Sequence, residues 1–220
     1  MLNIDTTLIQ LDFDNTLTIG NVSELIHDQF GPGNWDEVYA KYLNDLITVE
    51  ESNIFSFKNL KIPRDDLDEF VRSNVKFREG VLDFFIYLNA LKLDYVIVSS
   101  GVDFYIYSAL SSIGIDPNSV VIKSGKSDFK YNGISVKYLN PYNKYIVDGF
   151  KHSYTEFYKN IYSKIIYFGD SHTDIKPASI SDIVFATDGL DRYLNDKKIA
   201  HYSFDDFNNV LKIFQYNLNL

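Results

Sequence analysis

Short runs of β-branched and aromatic residues recur along the chain, with segments of helix length between them. Five of these runs are predicted to be strands: Thr7–Phe13, Asp94–Ser99, Ser119–Lys123, Lys164–Gly169 and Asp182–Ala186. Three of the intervening segments carry apolar residues at helical spacing: Val81–Leu93, Asp103–Ile113 and His152–Tyr162. The stronger strands are almost continuously apolar, which is typical of a parallel sheet with helices on both faces. The pattern therefore predicts an α/β fold with a doubly wound, mainly parallel sheet.

About eighty residues separate the first predicted strand from the second, far more than a simple crossover needs. Residues 21–76 have mostly helical patterning, and Pro63 precedes a further predicted helix at Asp65–Val71. We therefore expect a small helical cap domain at 21–76, inserted into a core domain formed by 1–20 and 77–220. Five residues of the cap are spaced to line one helix face: Trp35, Tyr39, Tyr42, Leu43 and Leu46. We expect the three aromatic ones to pack inside the cap rather than line a pocket.

A hairpin signal follows the third predicted strand. In the segment FKYNGISVKY, the pair Asn132-Gly133 stands between residues that alternate in polarity. An Asn-Gly pair in this setting is the strongest short-range signal for a two-residue β-turn. The sequence therefore predicts a β-hairpin beside the main sheet.

Composition excludes several classes of protein. Of the 220 residues, 45% are hydrophobic, and 21 Lys and Arg stand against 30 Asp and Glu, so the formal net charge is −9. Nucleic-acid binding needs a basic face, so from this charge balance we expect no nucleic-acid partner. Cysteine is absent, so there is no disulfide framework and no thiol nucleophile. No apolar run approaches the 18 residues of a membrane span, and the first residues lack a signal-peptide pattern, so we expect a cytoplasmic protein without a membrane partner.

Two carboxylates follow the first predicted strand. Asp12 and Asp14 stand in LDFDNTLT, with Thr16 two residues later. The carboxyl ends of strands are where open parallel sheets bind ligands. A second D-x-D pair, Asp66 and Asp68, has no strand before it and is interpreted as solvated surface. The preceding apolar strand therefore marks Asp12 and Asp14 as the candidates for catalysis.

Two further strand ends carry polar residues. The second predicted strand ends in Ser99-Ser100-Gly101, where a hydroxyl and backbone N–H groups can cradle a phosphate. Taken alone, however, a Ser-Gly turn of this kind is more often only structural. Asp170 follows the fourth predicted strand, and Asp174 lies four residues on, where both carboxylates share one face of a helical turn. Carboxylates at such an edge suit Mg²⁺, which takes oxygen ligands.

These segments, in this order, resemble the four motifs of the haloacid dehalogenase (HAD) superfamily of Mg²⁺-dependent phosphohydrolases. The motifs are DFDNTLT, the strand ending at Ser99, a lone Lys151 and GDSHTD. The stretches KFREGVLDF, YVIVSSGVDFYIY and FGDSHTDIKPASISDIVFA are similar to the phosphoserine-phosphatase-like group, and most to its methionine-salvage phosphatases. The resemblance implies a HAD-like Rossmannoid core with a cap inserted after the first strand.

The resemblance also implies a role for each residue of these motifs. Asp12 would be the nucleophile that forms an aspartyl-phosphate, and Asp14 would be the general acid and base. Ser99, Ser100, Gly101 and Thr16 would bind the phosphoryl group, and Lys151 would offset its charge. Mg²⁺ would be held by Asp12, the Asp14 backbone carbonyl and Asp170, with Asp174 orienting water ligands or Lys151. The expected partner is a small-molecule phosphomonoester.

Departures from the family pattern bear on the substrate. The position nine after the nucleophile, acidic in phosphoserine phosphatases, is Asn21, although Glu24 could reach the site from the next turn. Arg78 could contact a substrate carboxylate or phosphate, or pair with Glu79 or a cap carboxylate. His172 is interpreted as a surface residue. The cysteine cluster of the methionine-salvage group is absent.

Several functions stay open at this point. The main hypothesis is a capped phosphomonoesterase, and the alternatives within the fold are a phosphoserine phosphatase and a phosphomutase that uses the same aspartyl-phosphate. A phospho-acceptor signalling domain is the alternative outside enzymes. It needs neither the second Asp of the first motif nor a helical insertion. The surplus of aromatic residues is compatible with an apolar patch for a homodimer.

Overall fold

A computed structural model describes residues 6–31 and 35–217 of the chain. Its strands are β1 (Thr7–Leu11), β2 (Thr18–Ile19), β3 (Lys76–Phe77), β4 (Asp94–Val102), β5 (Val121–Lys130), β6 (Gly133–Lys137), β7 (Lys164–Gly169), β8 (Ile183–Ala186) and β9 (Tyr202–Ser203). Its α-helices are α1 (Val22–Phe30), α2 (Trp35–Leu43), α3 (Val49–Phe57), α4 (Arg64–Asn74), α5 (Val81–Ala90), α6 (Asp103–Ser112), α7 (Phe150–Lys159), α8 (Ile175–Ser179), α9 (Asp188–Asp196) and α10 (Phe207–Asn217). Short 3₁₀ turns cover Pro117–Ser119 and His172–Asp174.

Seven of the strands form one sheet in the order β6-β5-β4-β1-β7-β8-β9. All neighbours are parallel except β5 and β6, which are antiparallel and form the predicted hairpin. Its two connecting residues are Tyr131 and Asn132, because Gly133 already pairs with Lys130 as the first residue of β6. The predicted α/β class and the mainly parallel sheet are therefore confirmed. Because β4, β1 and β7 are adjacent and parallel, their carboxyl ends meet at one edge of the sheet.

The central strands are buried on both faces. All five residues of β1 are buried, as their apolar sequence predicts for a strand with helices on each side. On one face, Phe168 of β7 packs against Phe84 of α5 and Phe207 of α10, with ring centroids 5.7 and 5.9 Å apart. Aromatic pairs at these separations add to the energy of burial. These contacts pack α5 and α10 against β7.

Some predicted boundaries are wrong by a few residues, and each shift has a local cause. The third strand begins at Val121 instead of Ser119, because Pro117–Ser119 form a 3₁₀ turn. The helix predicted from His152 begins at Phe150, directly after Gly149, whose φ of 71° ends the preceding loop. Lys151 therefore lies in the first turn of α7 rather than before it.

Segment 21–76 is helical, as predicted, and contains α1 to α4. The short antiparallel pair of β2 with β3 brings its two ends together, because Thr18 pairs with Phe77 and Ile19 with Lys76. The predicted apolar face of α2 is wrong in part: Leu43 and Leu46 are 62% and 72% exposed. Val38 is the buried residue of this short helix. The division into core and cap domains stays a prediction.

Helix α3 is attached to several segments of the core. It starts with a capping box in which the Thr48 side chain accepts a hydrogen bond from the Glu51 N–H. The Thr48 hydroxyl also donates to the Val147 carbonyl. At the other end, a Cβ placed on Gly133 would lie 1.8 Å from the Lys58 carbonyl oxygen, so only glycine allows the hairpin to approach α3 this closely.

In the part of the chain that the structure describes, no helix is long and apolar enough to cross a membrane.

Candidate active site

Polar residues from three adjacent strands converge at the carboxyl edge of the sheet. Asp12 follows β1, Ser99 lies near the end of β4, and Asp170 follows β7. They line one cavity of about 520 Å³ that also contains Asp14 and Lys151. The structure therefore brings the predicted catalytic residues together.

Lys151 joins two carboxylates in the floor of this cavity. Its Nζ lies 2.8 Å from Asp12 Oδ2 and 2.7 Å from Asp174 Oδ1, and all three side chains are at most 5% exposed. It also donates to the Thr173 hydroxyl at 3.1 Å. Charges buried this deeply are tolerated when they are paired and hydrogen-bonded.

Asp174 is held by a dense set of donors. Its Oδ1 accepts from the Tyr167 hydroxyl, and its Oδ2 accepts from the backbone N–H groups of Asp170 and Ser171 at 3.2 and 3.0 Å. A Cβ on Gly169 would lie 2.6 Å from the Asp174 Cγ, which explains the glycine before Asp170. Both oxygens of Asp174 are thus committed to protein donors, so it orients Lys151 and the Asp170 loop.

The Asp14 carboxylate has hydrogen-bond partners of its own, one of which is the first residue of α1. Its Oδ1 accepts from the Val22 N–H at 2.8 Å, and its Oδ2 accepts from the Tyr105 hydroxyl at 2.9 Å. Tyr105 is fully buried, so this bond fixes one orientation of the carboxylate. Gly101 packs against the same bond: a Cβ there would lie 2.1 Å from the Tyr105 hydroxyl and 2.8 Å from Asp14 Oδ2.

Substitution of Gly101 by Ala should therefore displace Asp14. We expect kcat/KM for a phosphomonoester to fall by about 100-fold, since a shift of about 1 Å in a catalytic group has an effect of that size. The free energy of unfolding should drop by about 1–3 kcal/mol, because the buried Tyr105 ring has little room to move. Steady-state kinetics and urea denaturation would measure the two effects.

The exposed Ser111→Ala on the same helix as Tyr105 serves as the control and should change neither quantity. A Gly101→Ala protein within twofold of wild type in kcat/KM would show that the hydrogen bond of Asp14 tolerates this contact.

Residues from outside β4 hold Ser99–Gly101, the segment predicted to bind phosphate, in place. The Ser99 hydroxyl oxygen accepts from the Gly101 N–H at 2.9 Å, which leaves the hydroxyl hydrogen free to donate into the cavity. The Ser100 carbonyl accepts from the Asn53 amide at 2.8 Å and from the Tyr138 hydroxyl. This network ties the segment to α3 and to the chain after β6.

Glu50 forms a second link between α3 and the site. Its Oε1 accepts from the Phe150 N–H at 3.1 Å and from the Ser100 hydroxyl at 3.4 Å. Phe150 directly precedes Lys151, so Glu50 holds the first turn of α7 in place. The residue is 2% exposed.

The site contains more negative than positive charge. Burial, with the nearby Asp174 charge adding to it and Lys151 opposing it, raises the pKa of Asp12 to about 7 and that of Asp170 to about 9. Burial alone would raise the pKa of Asp174 too, but Lys151 and its hydrogen bonds hold that pKa below the ordinary value. Burial also raises the pKa of Asp14 to about 6. Near neutral pH and without a metal ion, a proton therefore compensates Asp170, whereas Asp12 is compensated partly by a proton and partly by Lys151.

The acidic cluster can accommodate a hard metal ion. Asp12, Asp170 and Asp174 each have a carboxylate oxygen within 4.8 Å of the other two, and that of Asp174 is already held by protein donors. A set of donors made only of oxygen atoms fits Mg²⁺ rather than a soft metal. The raised pKa values of two of the carboxylates point the same way, because a cation would replace the protons.

The two remaining predicted substrate contacts, Thr16 and Arg78, lie in different places. The Thr16 hydroxyl lies 3.4 Å from Asp12 Oδ2, within the site. Arg78 lies outside the main cavity and donates to the Asn15 carbonyl at 2.7 Å, with an ion pair to Asp188 at 2.6 Å. Neither Glu79 nor a cap carboxylate is its ion-pair partner in the described residues. Because Asn15 adopts a left-handed φ of 56°, Arg78 stabilises the turn after Asp14.

The aromatic residues of α2 line the cavity, contrary to the expectation from sequence. Trp35, Tyr39 and Tyr42 are half-buried and face the same space as Asp12. Trp35 stacks on the buried His27 with a centroid separation of 4.3 Å, so it also belongs to the packing of the cap segment. Val38 is the buried residue of α2, and the aromatic rings of this helix lie at the cavity wall. His172 is exposed but lines the wall too, 5.8 Å from the Tyr42 ring.

The structure shows the contacts of Asn21 and Glu24, the two residues considered from the sequence for an acidic position near the nucleophile. Asn21 caps the helix, with its side chain accepting from the Glu24 N–H at 3.1 Å. Glu24 lines the cavity and accepts from the Tyr39 hydroxyl at 2.9 Å. The acidic group on this wall is therefore Glu24, three residues beyond the expected position.

Sequence reasoning missed Tyr105, Tyr167, Glu50 and Asn53. A signal existed only for Tyr167, a hydroxyl-bearing residue inside the otherwise apolar strand KIIYFG. The other three act through contacts between residues far apart in the chain, which spacing does not reveal.

Comparison with known proteins identifies the family. The model of a family described as pyrimidine 5'-nucleotidase (UMPH-1) matches residues 51–208, which is more than half of the chain. The chain belongs to this family. The matched region of this UMPH-1 family member contains Ser99, Lys151, Asp170 and Asp174.

Curated relatives of this UMPH-1 family member are named 2-hydroxy-3-keto-5-methylthiopentenyl-1-phosphate phosphatase. The protein of Bacillus mycoides (strain KBAB4) is 26% identical over 204 residues, which cover 91% of this chain and 92% of the relative. The protein of Brevibacillus brevis is 27% identical over 209 residues, with 93% of each chain covered.

Solved structures share the fold. A phospho-aspartyl intermediate analogue of phosphoserine phosphatase matches with a TM-score of 0.66 and 16% identity, covering 93% of this chain and 97% of the other. A HAD family hydrolase from Salmonella enterica matches with a TM-score of 0.71 and 16% identity, covering 94% of this chain and 70% of the other. The resemblance to the HAD superfamily and its phosphoserine-phosphatase-like group is confirmed, and this UMPH-1 family member is a phosphoric monoester hydrolase.

Proposed function

We propose that the protein is a Mg²⁺-dependent phosphomonoesterase that hydrolyses a small phosphorylated metabolite through an aspartyl-phosphate on Asp12. One observation carries the proposal. The Asp12 carboxylate lies 2.8 Å from the buried Lys151 ammonium and lines the same cavity as Asp14. A nucleophile, an acid and a cation are the groups that phosphoryl transfer requires.

The first step transfers the phosphoryl group to the protein. A carboxylate oxygen of Asp12 forms a bond to phosphorus while the bond from phosphorus to the ester oxygen breaks. Asp14 gives its proton to that oxygen, and the alcohol leaves. The hydrogen bonds from Val22 and Tyr105 hold Asp14 in position for this transfer.

The second step releases phosphate. Asp14, now ionised, takes a proton from a water molecule, whose oxygen attacks phosphorus as the bond to Asp12 breaks. The Ser99 hydroxyl and backbone N–H groups near Ser100 bind the phosphoryl oxygens, and Lys151 offsets their charge. Asp12 is regenerated for the next cycle.

Asp12, the Asp14 backbone carbonyl and Asp170 are the residues proposed to hold Mg²⁺. When bound, the ion supplies positive charge beside the transferring phosphoryl group and fixes its orientation. We propose that Asp174 positions Lys151 and the Asp170 loop instead of binding the ion directly. Its oxygens already accept hydrogen bonds from Lys151, Tyr167 and that loop.

Release of phosphate from 4-nitrophenyl phosphate, with Mg²⁺ and after chelation, tests the proposal. We expect activity that disappears with the chelator and returns with added Mg²⁺. Equal activity in both conditions would refute the metal requirement. A folded, Mg²⁺-loaded protein without activity on any phosphomonoester would refute the hydrolytic role and favour phosphoryl transfer or signalling.

Mg²⁺ affinity should rise with pH between about 6 and 9. The raised pKa values of Asp12 and Asp170 mean that these groups hold protons that a cation must displace. At pH 7 we expect release of about 1.5 protons per ion bound, nearly one from Asp170 and about half of one from Asp12, measurable by titration calorimetry in buffers of different ionisation enthalpy. Asp170→Asn should lower both the affinity and the proton release. Binding without proton release at pH 7 would contradict the assignment.

The names of related proteins supply candidate substrates for a panel: a pyrimidine nucleoside 5'-monophosphate, 2-hydroxy-3-keto-5-methylthiopentenyl-1-phosphate and phosphoserine. The lining of the cavity disfavours phosphoserine. Lys151 is its only lysine or arginine within the described residues, and it already faces Asp12 and Asp174. A substrate carboxylate would therefore lack a counter-charge. A cytoplasmic location and a homodimer stay predictions.

A further inference from the structure

Tyr138 is a fully buried polar residue that the proposed hydrolysis does not use. Its ring packs on Phe150 with the two centroids 5.2 Å apart, and a Cβ on Gly125 would lie 2.8 Å from the Tyr138 Cζ. Burial raises the pKa of Tyr138 well above its usual range, so the hydroxyl keeps its proton. The enclosed ring therefore presents a hydroxyl in one fixed place, with one hydrogen to donate.

That hydrogen goes to the Ser100 carbonyl. The Asn53 amide nitrogen donates to the same carbonyl at 2.8 Å and to the Tyr138 oxygen at 3.1 Å. The Asn53 amide oxygen accepts from the Ser23 hydroxyl at 3.0 Å, and a carbonyl can only accept, so the nitrogen must be the end that faces Ser100. Two donors thus hold the Ser100 carbonyl and, with it, the plane of the peptide bond between Ser100 and Gly101.

The opposite side of this peptide group reaches Ser99. In a planar trans peptide the C=O and the N–H point in opposite directions, so the held Ser100 carbonyl aims the Gly101 N–H away from Tyr138. That N–H donates to the Ser99 hydroxyl oxygen at 2.9 Å. Successive hydrogen bonds polarise and strengthen one another. The Ser99 hydroxyl therefore acts as an acceptor toward the protein, and its hydrogen is available for a phosphoryl oxygen, which can only accept.

We propose that Tyr138, oriented by Asn53, is a positioning residue that acts on the Ser99 hydroxyl through the peptide bond between Ser100 and Gly101. The Ser99 hydrogen is then directed into the cavity before the substrate arrives, and it needs no rearrangement as negative charge grows on the phosphoryl oxygens. Tyr138 gives its single hydroxyl hydrogen to Ser100 and does not itself bind the substrate. This inference rests on the proposed function, since it concerns the same phosphoryl group.

Tyr138→Phe tests the proposal, because it removes the hydroxyl and keeps the ring against Phe150. With 4-nitrophenyl phosphate and saturating Mg²⁺, we expect kcat to fall about 3- to 10-fold, the range of one hydrogen bond, while KM stays within about twofold. Tyr154→Phe is the matched control. Tyr154 also packs on Phe150, at 5.1 Å, and donates to a backbone carbonyl, that of Leu139 at 3.0 Å. The control should keep kcat within about twofold of wild type. An unchanged kcat in Tyr138→Phe would overturn the proposal.

A double-mutant cycle with Ser99→Ala separates positioning from a general structural role. Ser99→Ala should lower kcat about 10²-fold, as for other donors to a developing negative charge. Adding Tyr138→Phe to that variant should change kcat by less than about twofold, because the hydroxyl on which Tyr138 acts is already gone. A residue that only supports the fold would lower kcat by the same factor with and without Ser99, and that result would overturn the proposal. So would a Ser99→Ala protein as active as wild type.

The same assays distinguish this inference from the proposed function. If wild type hydrolyses 4-nitrophenyl phosphate but the two substitutions act independently, the coupling of Tyr138 to Ser99 fails and the hydrolase assignment stands. If folded, Mg²⁺-loaded wild type hydrolyses no phosphomonoester, the proposed function fails and the inference fails with it.

Discussion

Asp12→Asn should lower kcat/KM at least about 10⁴-fold, because removal of a nucleophile from a site that acts as a unit has effects of this order. The amide that replaces the Asp12 carboxylate is a poor nucleophile and cannot form the aspartyl-phosphate. Without metal, the variant should be no less stable than wild type. Burial raises the pKa of Asp12 to about 7, so the ionised carboxylate disfavours the folded state at pH 7 and above. Asp174 still pairs with Lys151 in the variant.

Phosphate release and thermal unfolding in chelator would measure both effects. Asp66→Asn is the matched control, since Asp66 belongs to the other D-x-D pair and is exposed on α4. That variant should keep wild-type activity. Retention of more than about one per cent of activity by Asp12→Asn would be incompatible with covalent catalysis at this residue.

Lys151→Met should destabilise the protein and reduce its activity. Lys151 is the partner of two buried carboxylates, Asp12 and Asp174, and removal of one member of a buried ionic group costs about 3–5 kcal/mol. The loss of positive charge beside the phosphoryl group should lower kcat about 10²- to 10³-fold. Added Mg²⁺ should restore part of the stability, because the ion binds only to the folded cluster.

Urea denaturation with and without Mg²⁺ would measure the stability of this variant, and the exposed Lys212→Met on α10 is its control. The control should stay within about 0.5 kcal/mol of wild type. If the free energy of unfolding of Lys151→Met also stayed within about 0.5 kcal/mol of wild type, Lys151 would not be the charge that balances the buried acids.

The fold was predictable where the chain signals it locally. Lys164–Gly169 is a strand with the predicted bounds, and the hairpin predicted from Asn132-Gly133 forms, with its turn one residue earlier at Tyr131-Asn132. Asp12 and Asp170 were predictable as a pair, since parallel strands put their carboxyl ends at one edge. These inferences need only the period of the sequence and the geometry of a parallel sheet.

The surroundings of the site were not predictable in the same way. The hydrogen bond between Tyr105 and Asp14 joins residues that are 91 positions apart in the sequence, and the one between Phe150 and Glu50 joins residues that are 100 positions apart. The aromatic spacing of α2 was visible, but spacing does not say whether a helix face meets a core or a cavity. That choice depends on how α2 lies against the rest of the chain.

The unequal attachment of the inserted helices bears on how this fold can be re-engineered. Thr48 and Asn53 tie α3 to the core, whereas α2 buries only Val38 and contributes its aromatic rings to the cavity wall. Exchange of 21–76 as one unit would disturb Ser99–Gly101, the segment predicted to bind phosphate, because Ser100 would lose its partners on α3. Exchange of residues 35–43 alone would leave that segment and Lys151 in place. Substitutions confined to that nine-residue helix should therefore change the preference for the leaving alcohol while the rest of the site stays intact.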